Sequence, residues 1–177
     1  MTIYFKKTTL DIDHSKICLD KGKKLYHYSD IYYYDIKDKS YLNSLFLVPP
    51  TKMFIVLATS QLPPHIDAGP ARGCLNYYIQ PQLFKTIFWK PNENAKKIYH
   101  RRYCEEINDY KEIEIGYDPL GLTMVDSFVA ETNDAYFLNI GQIHSVEFIN
   151  KDDKPIPRII LQFQWDATLE EILEQEK

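Results

Sequence analysis

From residue 53 onward the chain reads as short apolar segments separated by turn signals: 53–59, 62–67, 73–79 and 84–90, then, after a polar interruption, 122–131, 135–140, 143–149 and 158–165. Runs of this length, rich in Val, Ile, Phe and Tyr and bounded by Gly, Pro, Asn and Asp, are the pattern of β-strands. No helical period alternates with them, which excludes a parallel sheet built from β-α-β units and predicts a mainly β chain of seven or eight strands, a sandwich or jelly roll. Aromatic residues make up 14% of the sequence, with fourteen tyrosines among them, and such side chains suit a pleated, half-buried surface.

Around this core the sequence is less regular. Residues 1–52 form a tyrosine-rich N-terminal flank with Tyr32, Tyr33 and Tyr34 in a row and lysine clusters at Lys6-Lys7 and between Lys21 and Lys24. Within it Ser40 is an N-cap candidate for a short helix reaching Phe46, which Pro49-Pro50 would stop because proline lacks an amide donor and restricts its predecessor. Residues 91–118 are polar and charged and break the strand spacing, as an insertion or lid over the core at 53–166 would. Residues 167–177 end the chain in an acidic helix: Thr168 and Glu171, three apart, make a capping box.

At 177 residues, 45% hydrophobic and 26% charged, the chain is long enough for one domain, 1–177, with a real core. No apolar run is long enough to span a bilayer. The formal net charge of −4 disfavours a nucleic-acid partner, since the overall field repels phosphate. Three widely spaced cysteines, Cys18, Cys74 and Cys104, with no C-x-x-C and no leader-like start, point to a reduced cytoplasmic protein.

The chemistry concentrates in His65-Ile66-Asp67. Two metal-competent side chains at i and i+2 on a strand share a face, and Pro63-Pro64 before them, with Ala68-Gly69-Pro70 after, mark a strand entering a turn, where functional side chains gather. Seventy-seven residues after Asp67, His144 opens another apolar run. Two histidines and one carboxylate make a facial set that leaves coordination positions open, whereas structural zinc closes with a fourth ligand. Arg158 follows His144 by 14 residues at the start of the last run. An arginine opening an apolar strand needs an anionic partner if it faces inward, and a dicarboxylate would serve.

In the order His65, Asp67, His144, Arg158, over residues 62–165, the chain resembles the Fe(II)/2-oxoglutarate-dependent dioxygenases, whose signature is H-x-D, a distal His and a basic residue shortly beyond it. The resemblance implies a double-stranded β-helix core, of the jelly-roll or cupin kind, with a few flanking helices. It also implies Fe(II) held by His65, Asp67 and His144, oxidative decarboxylation of 2-oxoglutarate to succinate and carbon dioxide, and hydroxylation of a small-molecule or peptide substrate. The segment Arg72-Gly73-Cys74-Leu75-Asn76-Tyr77-Tyr78-Ile79 is similar to the prolyl-hydroxylase branch, where a tyrosine near this strand's end meets the co-substrate's far carboxylate. That position is Tyr78, and Asn76, two before it, shares its face. The polar hairpin at 150–155 lies between His144 and Arg158 and is longer than in compact members.

Two rivals keep the fold: a cupin-type module holding zinc, nickel or nothing, and a metal-dependent isomerase or oxygenase that uses no 2-oxoglutarate. Neither needs Arg158. His100 and Cys104 have helical ligand spacing without a second pair and read as surface or lid residues. Cys74 reads as a small buried hydrophobe. His14 and His27 have no ligand partner at suitable spacing, and Ser145 has no nucleophile elbow.

Overall fold

The computed structural model describes residues 2–17, 19–28, 31–67, 71–81, 83–104, 109–150 and 156–175. The chain is mainly β, with thirteen strands and two short α-helices among the described residues. The strands are β1 (Phe5–Thr8), β2 (Leu19–Tyr28), β3 (Ile31–Ile36), β4 (Lys52–Ala58), β5 (Leu62–His65), β6 (Gly73–Gln80) and β7 (Phe84–Pro91), followed by β8 (Lys97–Cys104), β9 (Asp109–Tyr117), β10 (Leu122–Val129), β11 (Ala135–Asn139), β12 (His144–Phe148) and β13 (Arg158–Trp165). The helices are α1 (Ser40–Asn43) and α2 (Leu169–Gln175). All eight apolar runs read from the sequence are strands, two of them shorter at the end that carries chemistry: β5 stops at His65, and β12 starts at His144.

A seven-stranded antiparallel sheet runs in the order β1-β11-β6-β13-β4-β3-β2, and a four-stranded one in the order β10-β7-β12-β5. Consecutive strands alternate between them over β4–β7 and again over β10–β13: β4, β6, β11 and β13 lie in the large sheet, and β5, β7, β10 and β12 in the small one. Between the sheets lies a cluster of Val56, Ala58, Cys74, Tyr78, Leu138 and Ile160 from the large sheet with Phe88 and Phe128 from the small one. The Phe128 and Tyr136 rings stack at 4.0 Å.

Strand alternation turns the intervening residues of the large sheet outward. Ile55, Leu75, Phe137, Leu161 and Phe163 pack there under Leu42 of α1 and Leu169 and Ile172 of α2. A Cβ on Gly73 would meet the end of the Ile172 side chain and the Leu169 backbone, so the glycine lets α2 sit close on β6. The capping box forms: Glu171 accepts from the Thr168 amide at 2.8 Å, and the Glu171 amide donates to Thr168 Oγ1 at 3.3 Å.

Two readings change. The N-terminal flank supplies β1, β2 and β3, which extend the large sheet at both ends; Phe5, for example, packs its ring 4.7 Å from Phe128. The helix near residue 40 is a single turn whose N-cap is Lys39, with Ser40 as its first residue held by Asp38, which accepts from both the Ser40 amide and hydroxyl. The chain continues to Phe46 in tighter i to i−3 bonds, so the helix ends before the prolines act. No helix among the described residues is long and apolar enough to cross a membrane.

The polar interruption at 91–118 contains the β8–β9 hairpin. Its charged alternating faces hid the strands from a reading based on apolar runs. The base of the hairpin rests on β5: Gly116 has φ of 154°, and a Cβ there would strike the Pro64 carbonyl oxygen.

Candidate metal centre and anion pocket

β5 and β12 pair with His65 directly opposite His144, and the two rings lie 4.5 Å apart. Asp67 comes to them from beyond the end of β5, anchored by its amide, which donates to the Ile140 carbonyl at 3.3 Å. The strand ends at His65, so Asp67 lies outside β5 and the shared strand face expected for the two is not what brings them together. Its Oδ1 lies 3.2 Å from His65 Nε2 and 3.7 Å from His144 Nε2.

Each imidazole is fixed from behind. His65 Nδ1 donates to the Pro63 carbonyl at 2.7 Å, and His144 Nδ1 to the Gln142 carbonyl at 2.9 Å. A carbonyl can only accept, so Nδ1 carries the proton and each neutral ring turns an Nε2 lone pair toward Asp67. This is the outer bonding that orients metal-ligating histidines. One ligand atom from each of His65, Asp67 and His144 lies within 4.8 Å of the other two, so the group could hold a metal ion.

The electrostatics fit such a centre. Burial opposes charge on His65, but the hydrogen bond and charge of Asp67 outweigh it and raise the pKa. Burial also opposes ionisation of Asp67, but the hydrogen bond that a protonated His65 donates and the charges of the two imidazoles override it and lower its pKa. His144 is buried most deeply, and desolvation lowers its pKa, keeping it neutral and able to ligate.

The group opens on a cavity of about 610 Å³ between the two sheets, which Asn76, Arg158 and Gln162 also line. Arg158 is 6% exposed, and its Nε has no hydrogen-bond partner. Its guanidinium sits 5.2 Å from the centre of the Phe84 ring. Among the described residues no carboxylate pairs with it. Burial presses its pKa downward while the Tyr78 and Tyr33 hydroxyls act against this, and an arginine stays charged throughout. The cavity therefore contains an uncompensated cation, whose burial costs several kcal/mol until an anion meets it.

Tyr78 is 2% exposed, and its hydroxyl makes no hydrogen bond of acceptable geometry. Burial raises its pKa, and Arg158, Asn76 and Thr86 are polar neighbours that oppose the rise. The hydroxyl is thus a second unsatisfied donor beside the unpaired guanidinium.

No model of a known protein family matches this chain, and no curated protein is significantly similar to it.

Other candidates resolve differently. Ser145 is fully buried and bonded to Trp89 Nε1 at 2.9 Å and to Glu147 at 3.0 Å, so it braces β12 and cannot act as a nucleophile. Cys74 is buried and unpaired. His14 bonds the Tyr77 hydroxyl at 2.9 Å on the outer face of the large sheet. His100 and Cys104 lie on β8, a strand, so helical ligand spacing is not realised; their side chains, that of His27, the turn at 68–70 and residues 151–155 of the polar hairpin lie outside the described residues.

Sequence reasoning missed Gln162 and the cavity wall from the hairpin, where Lys97 and Glu114 form an ion pair at 2.8 Å. Gln162 had a signal: it shares strand parity with Arg158. The hairpin wall had none, because nothing local to 91–118 says which strand it covers.

Proposed function

We propose that this chain is an Fe(II)- and 2-oxoglutarate-dependent oxygenase built on a double-stranded β-helix, hydroxylating a small-molecule or peptide substrate. The observation that carries the reading is the buried, unpaired Arg158 in the same cavity as a two-histidine, one-carboxylate group. A metal-only module needs the three ligands and gains nothing from an uncompensated guanidinium between its sheets. The fold reading is supported by the alternation of β4–β7 and β10–β13 between two sheets, with the inner orders β11-β6-β13-β4 and β10-β7-β12-β5. A double-stranded β-helix alternates its strands between two sheets in this manner, which is the support for the reading.

The donor set suits ferrous iron. Two imidazole nitrogens and one carboxylate oxygen on one side of an ion leave positions free on the other. Iron and 2-oxoglutarate, when bound, supply the oxidising power: dioxygen is consumed, 2-oxoglutarate is cleaved to succinate and carbon dioxide, and the second substrate is hydroxylated. The protein contributes position and exclusion of water. Pro63 and Gln142 hold the imidazoles in the ligating tautomer, Asp67 stays ionised between them, and Arg158 with Tyr78 takes the far carboxylate of the co-substrate. The guanidinium offers it a charge-assisted pair.

Anaerobic titration of the metal-free protein with Fe(II) and then 2-oxoglutarate tests this. The expected result is a weak visible charge-transfer absorption that appears only with both present and is lost in Arg158→Ala. Iron binding without any 2-oxoglutarate response overturns the co-substrate and leaves a metal site of another kind; no iron binding overturns the enzyme.

A further inference from the structure

A second arginine, Arg72, lines the same cavity as Arg158, and the two belong to opposite ends of it. Arg158 precedes Ile159, which pairs with Gln80 at the last position of β6. Arg72 immediately precedes Gly73, the first residue of that strand, so the two backbone positions are about 25 Å apart along the strand. The Arg72 guanidinium has no hydrogen-bond or ion-pair partner among the described residues.

One short segment ties Arg72 to the metal end. The Ile140 carbonyl accepts from the Asp67 amide, the next residue, Gly141, donates its amide to the Arg72 carbonyl at 3.1 Å, and the Gln142 carbonyl holds His144. The stem of Arg72 crosses over Gly141: a Cβ there would stand 2.9 Å from Arg72 Cδ. Arg72 is exposed, so it sits at the cavity mouth beside the metal-ligand group. An exposed cation adds little to stability, but at a concave mouth it draws in and retains an anion.

The charges of the cavity say how large that anion's charge is. Among the described residues its charged lining is Arg72, Lys97 and Arg158 against Asp67 and Glu114. Lys97 and Glu114 pair with each other at 2.8 Å, and Asp67 is engaged by the two imidazoles. A ferrous ion and the 2-oxoglutarate dianion cancel in charge, with Arg158 taking the far carboxylate. One positive charge is then left over, and it is that of Arg72.

Resting on the 2-oxoglutarate reading, we propose that the substrate hydroxylated here is a small monocarboxylic acid, held by Arg72 at its carboxylate, with its apolar body along Ile66 and Ile140 beside the metal ligands. Both isoleucines line the cavity. A carboxylate supplies the one negative charge the loaded site lacks and fits the guanidinium fork. A phosphate monoester carries nearly two, and an internal peptide segment offers none. Arg72 is neither a metal ligand nor part of the co-substrate pocket, so replacing it spares both.

The test is proton NMR of hexanoate, hexanamide and monohexyl phosphate added to protein loaded with Mn(II) and saturating 2-oxoglutarate, where the paramagnetic ion broadens the methyl signal of a probe bound near it. In the wild type hexanoate is expected to bind about tenfold more tightly than hexanamide and more tightly than the phosphate. Arg72→Met should abolish the preference for acid over amide and Arg72→Lys should keep most of it, with Mn(II) and 2-oxoglutarate affinities unchanged in both. Equal binding of acid and amide, no binding of hexanoate, or a preference that survives Arg72→Met overturns the proposal. Tighter binding of the phosphate overturns the carboxylate, and release of 2-oxoglutarate by hexanoate shows that the acid goes to Arg158 instead and overturns the role of Arg72. If the wild type takes up Mn(II) but no 2-oxoglutarate, the oxygenase reading fails, and this inference with it.

Discussion

The two faces of β13 are made of alternating residues of one strand, yet they do opposite work. Leu161, Phe163 and Trp165 pack outward under the helices in an apolar cluster. Arg158, Ile160 and Gln162 face the cavity, where polar groups stand with donors unsatisfied. The outer face gains stability from the groups it buries; the inner face buries a cation whose Nε has no hydrogen-bond partner. A strand separates the two roles at no cost in geometry, since neighbouring side chains point to opposite sides.

The sharpest way to break the comparison is at the metal end of the inner face. His65→Ala is expected to remove stoichiometric metal binding while circular dichroism and the thermal unfolding midpoint stay near wild type, because His65 lies at a strand end, outside the apolar clusters. Retained full-stoichiometry metal by inductively coupled plasma analysis would sink the three-residue centre.

On the outer face the result inverts. Phe163, fully buried beside Phe46 with ring centres 4.8 Å apart, is expected to cost about 3–5 kcal/mol when replaced by alanine. Denaturant titration measures this. Metal stoichiometry at low denaturant should be unaffected, and its loss would mean that the faces are coupled.

Arg158→Met sharpens the contrast within one strand. Removing an uncompensated buried charge is expected to leave stability equal or raise it, as replacing buried ionic groups by apolar ones of similar volume often does. The same change should weaken 2-oxoglutarate by roughly 10- to 150-fold, the loss of a hydrogen bond to a charged group worth about 1.5–3 kcal/mol. Marked destabilisation would show that Arg158 supports the fold, against its unpartnered state.

The smallest effect is on pH. Asp67 raises the pKa of His65 above 6.5, so a proton competes with metal for Nε2 until the pH exceeds that raised value. Apparent Mn(II) affinity is expected to fall as pH drops through it. In the metal-free protein the sign is opposite for this residue: the ion pair of protonated His65 with Asp67 stabilises the fold below the unfolded pKa and is lost as pH rises through the folded one. Opposed trends with and without metal, followed by thermal midpoints from pH 5.5 to 8, check the assignment; in the metal-free protein Asp67→Asn should bring the trend back toward an ordinary histidine.

Much of this was legible in the chain. The eight core strands follow from local apolar runs and turn residues, and the capping box at Thr168 and Glu171 is written in adjacent positions. His65, Asp67, His144 and Arg158 could be nominated from type and order. Other features depended on distant partners. β8 and β9 were missed because charged residues break up any apolar run there, although Ile113, Ile115 and Tyr117 do alternate with Glu112 and Glu114 in β9. β1 looked like part of a flank because it is short and its pairing partner, β11, lies far along the chain.

By itself, then, the sequence determined the eight core strands, since their apolar runs and turn residues lie within a few residues of each other, and which residues are able to bind metal or anion, since that is a property of side-chain type. Only the tertiary structure decided that His65 lies opposite His144, that Asp67 reaches both imidazoles from beyond the end of β5, that Asn76 lines the same cavity as Arg158, and that no carboxylate among the described residues reaches that arginine. Strand parity leaves two faces equally open, and register between strands is set by contacts summed over both sheets.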